Sequence, residues 1–281
     1  MVDFGDINGN IYCFDGAMYH YSDSKRPFSF KGEVLRIYEV VRIINRVPLF
    51  FEEHFSRLQK SVEKKNCRMN LSMNKLADEI TQIVSLNDLI NCNCMIICFF
   101  VEDEFHYLIY PRKHYYPSED EYLLGVSLEI IEVERPDPNI KYIDEKYNEL
   151  TGKAKADPHI FEVLLVNHEG FITEASKANV FFIKDGIVIT PPPEQVLLGI
   201  TRQFAIEAIK NSGVQLMEKV FSVHDLEECD GVFISGTSIH LLPVSKVGLL
   251  SFRTPQNPIY LKLKSEFEKI VKICGKGSPK H

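Results

Sequence analysis

Two short stretches carry residue types whose spacing could do chemistry: Thr173-Glu174-Ala175-Ser176-Lys177-Ala178-Asn179-Val180-Phe181, and then Leu197-Leu198-Gly199-Ile200-Thr201-Arg202. Glu174 is an acid delivered just after a turn and just before a β-forming run. Gly199 lets the backbone turn sharply into a helix that starts near Ile200-Thr201, and the first amides of such a helix have no intrahelical partner. With the helix dipole behind them they form an anion site, to which Thr201 adds a hydroxyl. Taken singly, each feature has an ordinary reading. Glu174 could be a solvated acid, Gly-Ile-Thr a capped helix start, and Thr237 in Ser235-Gly236-Thr237-Ser238 a turn hydroxyl after a strand. Arg57 alone reads as a surface arginine, because the apolar stripe of its helix is Phe51, Phe55, Leu58 and Val62, while His54, Arg57 and Ser61 share another face.

These residues need elements to position them. Residues 35–44 are β-branched and half alternating, which predicts a strand, followed by the turn Asn45-Arg46-Val47-Pro48. Helices are predicted over 52–64 and 71–84, the second starting near Ser72 or Asn74, then a hairpin of Cys94–Val101 with Phe105–Tyr110. Residues 111–121 are polar, hold two prolines and interrupt the pattern. That places a small α+β domain at 1–116, a linker at 117–122 and a larger α+β domain at 123–281. In the second part, strands are predicted at 125–133, 161–166, 179–183, 187–190, 214–221 and 231–235. Helices are predicted at 142–156, 201–212, 223–228 and 259–273, with a Pro-rich loop at 134–139. The irregular mixture of strands and helices favours α+β over a doubly wound sheet.

Composition sets the bounds. The chain has 281 residues, 45% hydrophobic, 25% charged and 11% aromatic, a globular profile with length enough for two domains. A net charge of −7 gives no basic field for nucleic acid or anionic lipid. No apolar run approaches the ~18 residues that would cross a bilayer. Met-Val-Asp-Phe-Gly-Asp lacks the basic region and apolar core of an export signal, so a cytoplasmic location is expected. The seven cysteines, including Cys92-Asn93-Cys94-Met95-Ile96-Ile97-Cys98, lie mostly in apolar runs and lack zinc-knuckle spacing. Buried, reduced thiols and no metal are expected.

Several motifs in order say more than any one of them. Tyr38-Glu39-Val40-Val41-Arg42, Glu53-His54-Phe55-Ser56-Arg57-Leu58, Gly170-Phe171-Ile172-Thr173-Glu174, Asn179-Val180-Phe181, Thr190-Pro191-Pro192, Leu198-Gly199-Ile200-Thr201-Arg202 and Ser235-Gly236-Thr237 recur together. In this the chain resembles the class IV, fold-type IV aminotransferases that use pyridoxal 5′-phosphate (PLP). That family includes branched-chain and D-amino-acid aminotransferases and aminodeoxychorismate lyases. The likeness covers roughly residues 33–250 and is densest from 160 to 244. It implies a two-domain fold like that of D-amino-acid aminotransferase, with the cofactor in the cleft between domains, and a homodimer. The implied substrates are an amino acid (branched-chain-like or D-) and a 2-oxo acid.

The resemblance also implies roles. The family's cofactor-linked lysine falls a little over thirty residues before its glutamate, which points to Lys141, with Lys146 as competitor. A lysine amine must shed its proton to react with an aldehyde, and partial desolvation favours that. Glu174 would keep the pyridine nitrogen protonated, so that the ring accepts the electrons released at the substrate Cα. Arg57 would pair with the phosphate through its planar fork. Ile200 and Thr201 would give that phosphate backbone amides, Thr237 a hydroxyl or amide, and Leu197 would press on the ring face. Pro111-Arg112-Lys113-His114 is similar to the arginine and histidine pair that grips substrate carboxylate in D-amino-acid enzymes, against the ordinary reading of a solvated loop. Two departures bear on substrate choice. Glu33-Val34-Leu35-Arg36-Ile37 stands where the family carries a Gly-Asp-Gly-like turn, and Lys146 stands near the place of a tyrosine found in branched-chain enzymes. An aminodeoxychorismate lyase on the same scaffold, or a PLP-binding protein without turnover, are the alternatives.

Overall fold

The structure, a computed structural model, describes residues 6–23, 27–102 and 104–275. The chain forms two compact units. One comprises Met1–Tyr115, Ile140–Ile143 and Lys272–His281, the other Tyr116–Asn139 and Asp144–Val271.

The first unit is a six-stranded sheet with two helices. Its elements are β1 (Ile11–Phe14), β2 (Ala17–His20), β3 (Leu35–Ile44), β4 (Val47–Pro48), α1 (Phe51–Lys64), α2 (Met73–Leu86), β5 (Cys92–Val101) and β6 (Glu104–Arg112). The order across the sheet is β2-β1-β6-β5-β3-β4. β5 is a nearly unbroken apolar run because both its faces are covered. One face meets Leu58, Val62, Leu76 and Ile80 of the helices; the other meets Tyr12, Phe14, Phe28 and Phe30. Continuous hydrophobicity is what burial on two sides demands of a strand. β3 alternates, sending Ile37, Val41 and Ile43 into the helix-side core. Glu39 occupies the same face in the middle of that row, a carboxylate where the alternation calls for an apolar side chain.

The second unit carries α3 (Glu119–Leu124), β7 (Val126–Glu132), α4 (Glu145–Ala154), β8 (Glu162–Val166), β9 (Ile172–Ala175), β10 (Asn179–Lys184), β11 (Ile187–Thr190), α5 (Ile200–Ser212), β12 (Leu216–Glu218), β13 (Gly231–Gly236), β14 (His240–Val247), β15 (Leu250–Ser251) and all but the last turn of α6 (Pro258–Cys274). The sheet runs β12-β11-β10-β13-β14-β7-β8-β9, with β15 added to β14. Phe182 stacks on Phe221 in its core, and Phe181 stacks on Phe233. α5 ends on Gly213, whose φ of 74° is the left-handed helix stop that glycine adopts without a Cβ penalty.

A capping box between Ser118 and Glu121 nucleates α3 within the stretch 117–122. Two sequence expectations are corrected. The helix predicted at 142–156 begins only at Glu145, because Asp144 caps it by accepting from Tyr147 N–H; the residues before it are extended. The strand predicted at 214–221 shrinks to three residues on a sheet edge. As the apolar runs led one to expect, most of the thiols are buried, namely Cys13, Cys92, Cys94 and Cys98, while Cys67, Cys229 and Cys274 are half-buried; all seven are free.

Candidate active site

Lys141 is positioned by backbone pairing. The open edge of β3 beside Ile37 is met by Tyr142 in an antiparallel bridge. Tyr38 N–H donates to Lys141 O at 3.0 Å, and Ile143 N–H donates to Arg36 O at 2.9 Å. On its other side Lys141 N–H reaches Ser61 Oγ of α1 at 3.4 Å. The side chain then lies over an aromatic face, with Nζ 4.5 Å from the centre of the Tyr38 ring. Lys146, the competitor, is exposed on α4.

Beside this amine the polar stripe of α1 is buried rather than solvated. His54 is 3% exposed and Ser61 1%. Glu39 Oε1 accepts from Arg57 Nε and Glu39 Oε2 from Arg57 Nη2, each at 2.7 Å. His54 Nδ1 adds a third bond to Oε2 at 2.9 Å. Burial pushes the Glu39 carboxyl up, but the Arg57 guanidinium and the His54 bond outweigh it and hold the group down at about 2. For His54 burial wins: it pushes the imidazole below its ordinary value, further than the bond to Glu39 raises it. The planar fork of Arg57 expected for a phosphate is therefore engaged by Glu39 along its Nε–Nη2 edge.

The second unit gathers the remaining candidates. Glu174 ends up 2% exposed near the end of β9. Its Oε2 accepts from Leu197 N–H at 3.2 Å and its Oε1 from Arg135 Nε at 2.5 Å. Leu197 is itself braced, since its carbonyl accepts from Asn179 Nδ2 at 2.8 Å and from Gly199 N–H at 2.7 Å. Glu174 and the start of α5 thus share one anchor. The α5 N-cap, Gly199, offers no side-chain bond to the first turn, so the amides of Ile200 and Thr201 stay available to an anion. A Cβ on Gly199 would come within 2.1 Å of Asn179 Oδ1, so the turn is built for glycine. Thr237 follows β13 and is half-buried. Ser235, paired across the sheet with Asn179, is buried with an Oγ that has no partner among the described residues.

These features fit a phosphorylated pyridine. An uncapped helix start with a glycine-only turn suits the phosphate, and a buried carboxylate fixed through both oxygens suits a cationic ring nitrogen. Sequence reasoning missed Tyr38 and Glu39 as site residues, and with them Ser61, Arg135, Tyr147 and Asn179. The stripe of His54, Arg57 and Ser61 at helical spacing was the available signal for the buried cluster. Arg112, by contrast, gives Nη2 to Asp6 at 2.8 Å, and His114 is exposed.

Comparison with known proteins places the chain in a class by its fold first. The branched-chain amino acid aminotransferase of Escherichia coli superposes with a TM-score of 0.81 over 94% of this chain and 95% of that one, at 22% identity. A Legionella pneumophila protein put forward as a 4-amino-4-deoxychorismate lyase superposes with a TM-score of 0.77 over 84% and 91%, at 19% identity. Both show a fold-type IV architecture. Residues 36–247 match the amino-transferase class IV family. The D-alanine aminotransferase of Listeria monocytogenes is 30% identical over 261 residues, covering 85% of this chain and 88% of that protein. The chain belongs to the class IV aminotransferases, enzymes that use PLP to move an amino group between an amino acid and a 2-oxo acid.

Proposed function

We propose that Lys141 is the residue joined to the PLP aldehyde, and that both sets of residues described above act on one cofactor molecule. Glu174 takes the pyridine nitrogen, Leu197 the ring face, and Arg57, Ile200, Thr201 and Thr237 the phosphate. The observation that carries this reading is the docking of residues 140–143 on β3, which fixes Lys141 Nζ over Tyr38 next to the Glu39–His54–Arg57 cluster.

When bound, the cofactor supplies an aldehyde that captures the substrate amine and a ring that takes up the electrons left when the Cα–H bond breaks. The protein does the rest. Lys141, displaced by the incoming amine, would accept the Cα proton at Nζ and act as the general acid and base of the transfer. Glu174 keeps the proton on the ring nitrogen throughout, and its burial keeps water from competing for that contact. Ser61 and Tyr38 hold the backbone on either side of Lys141, so the amine returns to the same place after each half-reaction.

D-alanine is the first donor to test, on the 30% identity to a D-alanine aminotransferase, and branched-chain L-amino acids the second, on the fold shared with the Escherichia coli enzyme. A subsite role for Arg112 and His114 at the substrate carboxylate belongs to the same reading. Bleaching of the bound-cofactor absorption by a panel of L- and D-amino acids, with 2-oxo acid formation, tests it. Turnover of neither group, with release of pyruvate and 4-aminobenzoate from aminodeoxychorismate, would replace it by the lyase reading. A homodimer in the cytoplasm completes the proposal. It is supported by the family and by the composition, and among the described residues no helix is long and apolar enough to cross a membrane. Sedimentation analysis reads the dimer.

A further inference from the structure

We infer that Arg135 is a positioning residue for Glu174, setting how well the enzyme recognises the ring nitrogen of its cofactor. The inference rests on the assignment of Glu174 to that nitrogen and adds what controls it.

Arg135 lies six positions before Lys141, in the Pro-rich loop that follows β7, where polarity and prolines suggest only a solvated connection. The structure gives it a different surrounding. Its side chain is 13% exposed, and Nε donates to Glu174 Oε1 at 2.5 Å. Nη2 donates to Tyr147 Oη at 2.9 Å and to Ser176 O at 3.0 Å. The guanidinium also lies over the Tyr147 ring, 4.4 Å from its centre. Tyr147 is buried and donates its own hydroxyl to Ser176 O at 3.0 Å. Ser176 in turn gives its hydroxyl to Glu162, whose other oxygen is 3.3 Å from Lys155 Nζ. The guanidinium is thus held in one orientation by a tyrosine ring, a tyrosine hydroxyl and a carbonyl, and it presents its Nε–H to Glu174.

Two consequences follow for that carboxylate. A carboxylate buried this deeply with no cation beside it tends to take up a proton and become neutral. A neutral carboxyl is a poor acceptor for a protonated ring nitrogen. Arg135 keeps Glu174 ionised before the cofactor arrives. It also occupies Oε1 on one side while Leu197 N–H occupies Oε2, which fixes the plane of the carboxylate. A lysine would supply charge without the fork that the Tyr147 and Ser176 contacts require.

The test separates recognition of the ring nitrogen from general support of the site. Dissociation constants are measured by fluorescence for PLP and for 1-deaza-PLP, in which carbon replaces the ring nitrogen, with wild-type enzyme, Arg135→Gln, Arg135→Lys, Tyr147→Phe and the Glu174→Gln background. Wild type is expected to prefer PLP over the deaza analogue. Arg135→Gln should shrink that preference by about tenfold, the scale of a lost charged hydrogen bond, by weakening PLP alone. Arg135→Lys should restore it in part, and Tyr147→Phe should shrink it less than Arg135→Gln. In the Glu174→Gln background Arg135→Gln should change nothing further. Equal weakening of both compounds, an unchanged preference, or additive losses in the double variant would each overturn the inference while leaving the Glu174 assignment in place. Should Arg135→Gln fail to fold, the Arg135→Lys and Tyr147→Phe ratios decide in the same way. A wild-type enzyme that binds both compounds equally would overturn the Glu174 assignment itself and this inference with it.

Discussion

Glu39 and Arg57 are joined twice, Nε to Oε1 and Nη2 to Oε2, each at 2.7 Å, with Glu39 1% and the Arg57 side chain 11% exposed. Such a pair orients the arginine more firmly than it stabilises the fold, yet breaking it strands a buried charge. Glu39→Gln should lower the unfolding free energy by about 3 kcal/mol, read as a shift of the urea midpoint. It should also weaken PLP binding, since Arg57 loses the partner that fixes its orientation. An unchanged midpoint would show that the pair is decorative.

The same cluster fixes the acid limb of the stability curve. His54 is depressed by burial, so the unfolded chain binds its proton first; stability should begin to fall as pH drops below the ordinary imidazole value of about 6.5. Glu39 sits at about 2 when folded, below its unfolded value. Its contribution is fully present above the unfolded carboxylate range and is lost as pH falls from there toward 2. His54→Asn should flatten the decline between pH ~6.5 and ~5 while leaving the lower part. Urea midpoints of the apo form at stepped pH measure both.

Gly199→Ala tests the phosphate cradle. The added methyl would meet Asn179 Oδ1 at 2.1 Å while Asn179 is tied to Leu197 O, so the first turn of α5 must shift. PLP affinity should drop about tenfold or more, the loss of a charge-assisted backbone bond. Gly152→Ala on α4, where a Cβ meets nothing within 4 Å, should leave affinity unchanged.

Ile143→Pro removes the N–H that donates to Arg36 O and so loosens the docking of residues 140–143 on β3. Lys141 is retained but no longer held over Tyr38. Covalent loading should fall even with excess PLP, while the unfolding midpoint moves little, because the bridge is short. Full loading at the wild-type rate would mean that Lys141 is positioned by something else.

The sheets and long helices were legible because their apolar spacing was strong: α1, α2, β3 and the β5–β6 pair followed directly from it. Much of the rest depended on contacts between distant residues. β1 and β2 are four residues each, too short to show a period, and were missed. Residues 142 and 143 read as a helix start because their partner strand lies about a hundred positions earlier in the sequence. Glu39 broke the alternation of β3, and His54, Arg57 and Ser61 formed a stripe, but only the fold shows that these two irregularities meet. Arg135 gave no sign at all, since a loop arginine looks solvated until a buried glutamate is placed beside it. Ordered motifs located Glu174 and the Gly199–Thr201 turn; they could not show that Leu197 ties the two together.

The most direct measurement is mass mapping after borohydride reduction of the PLP-loaded enzyme. The account predicts a single reduced pyridoxyl adduct on the peptide that carries Lys141, absent from a folded Lys141→Ala variant and undiminished in Lys146→Ala. An adduct on Lys146, or no adduct on protein saturated with PLP, would contradict it.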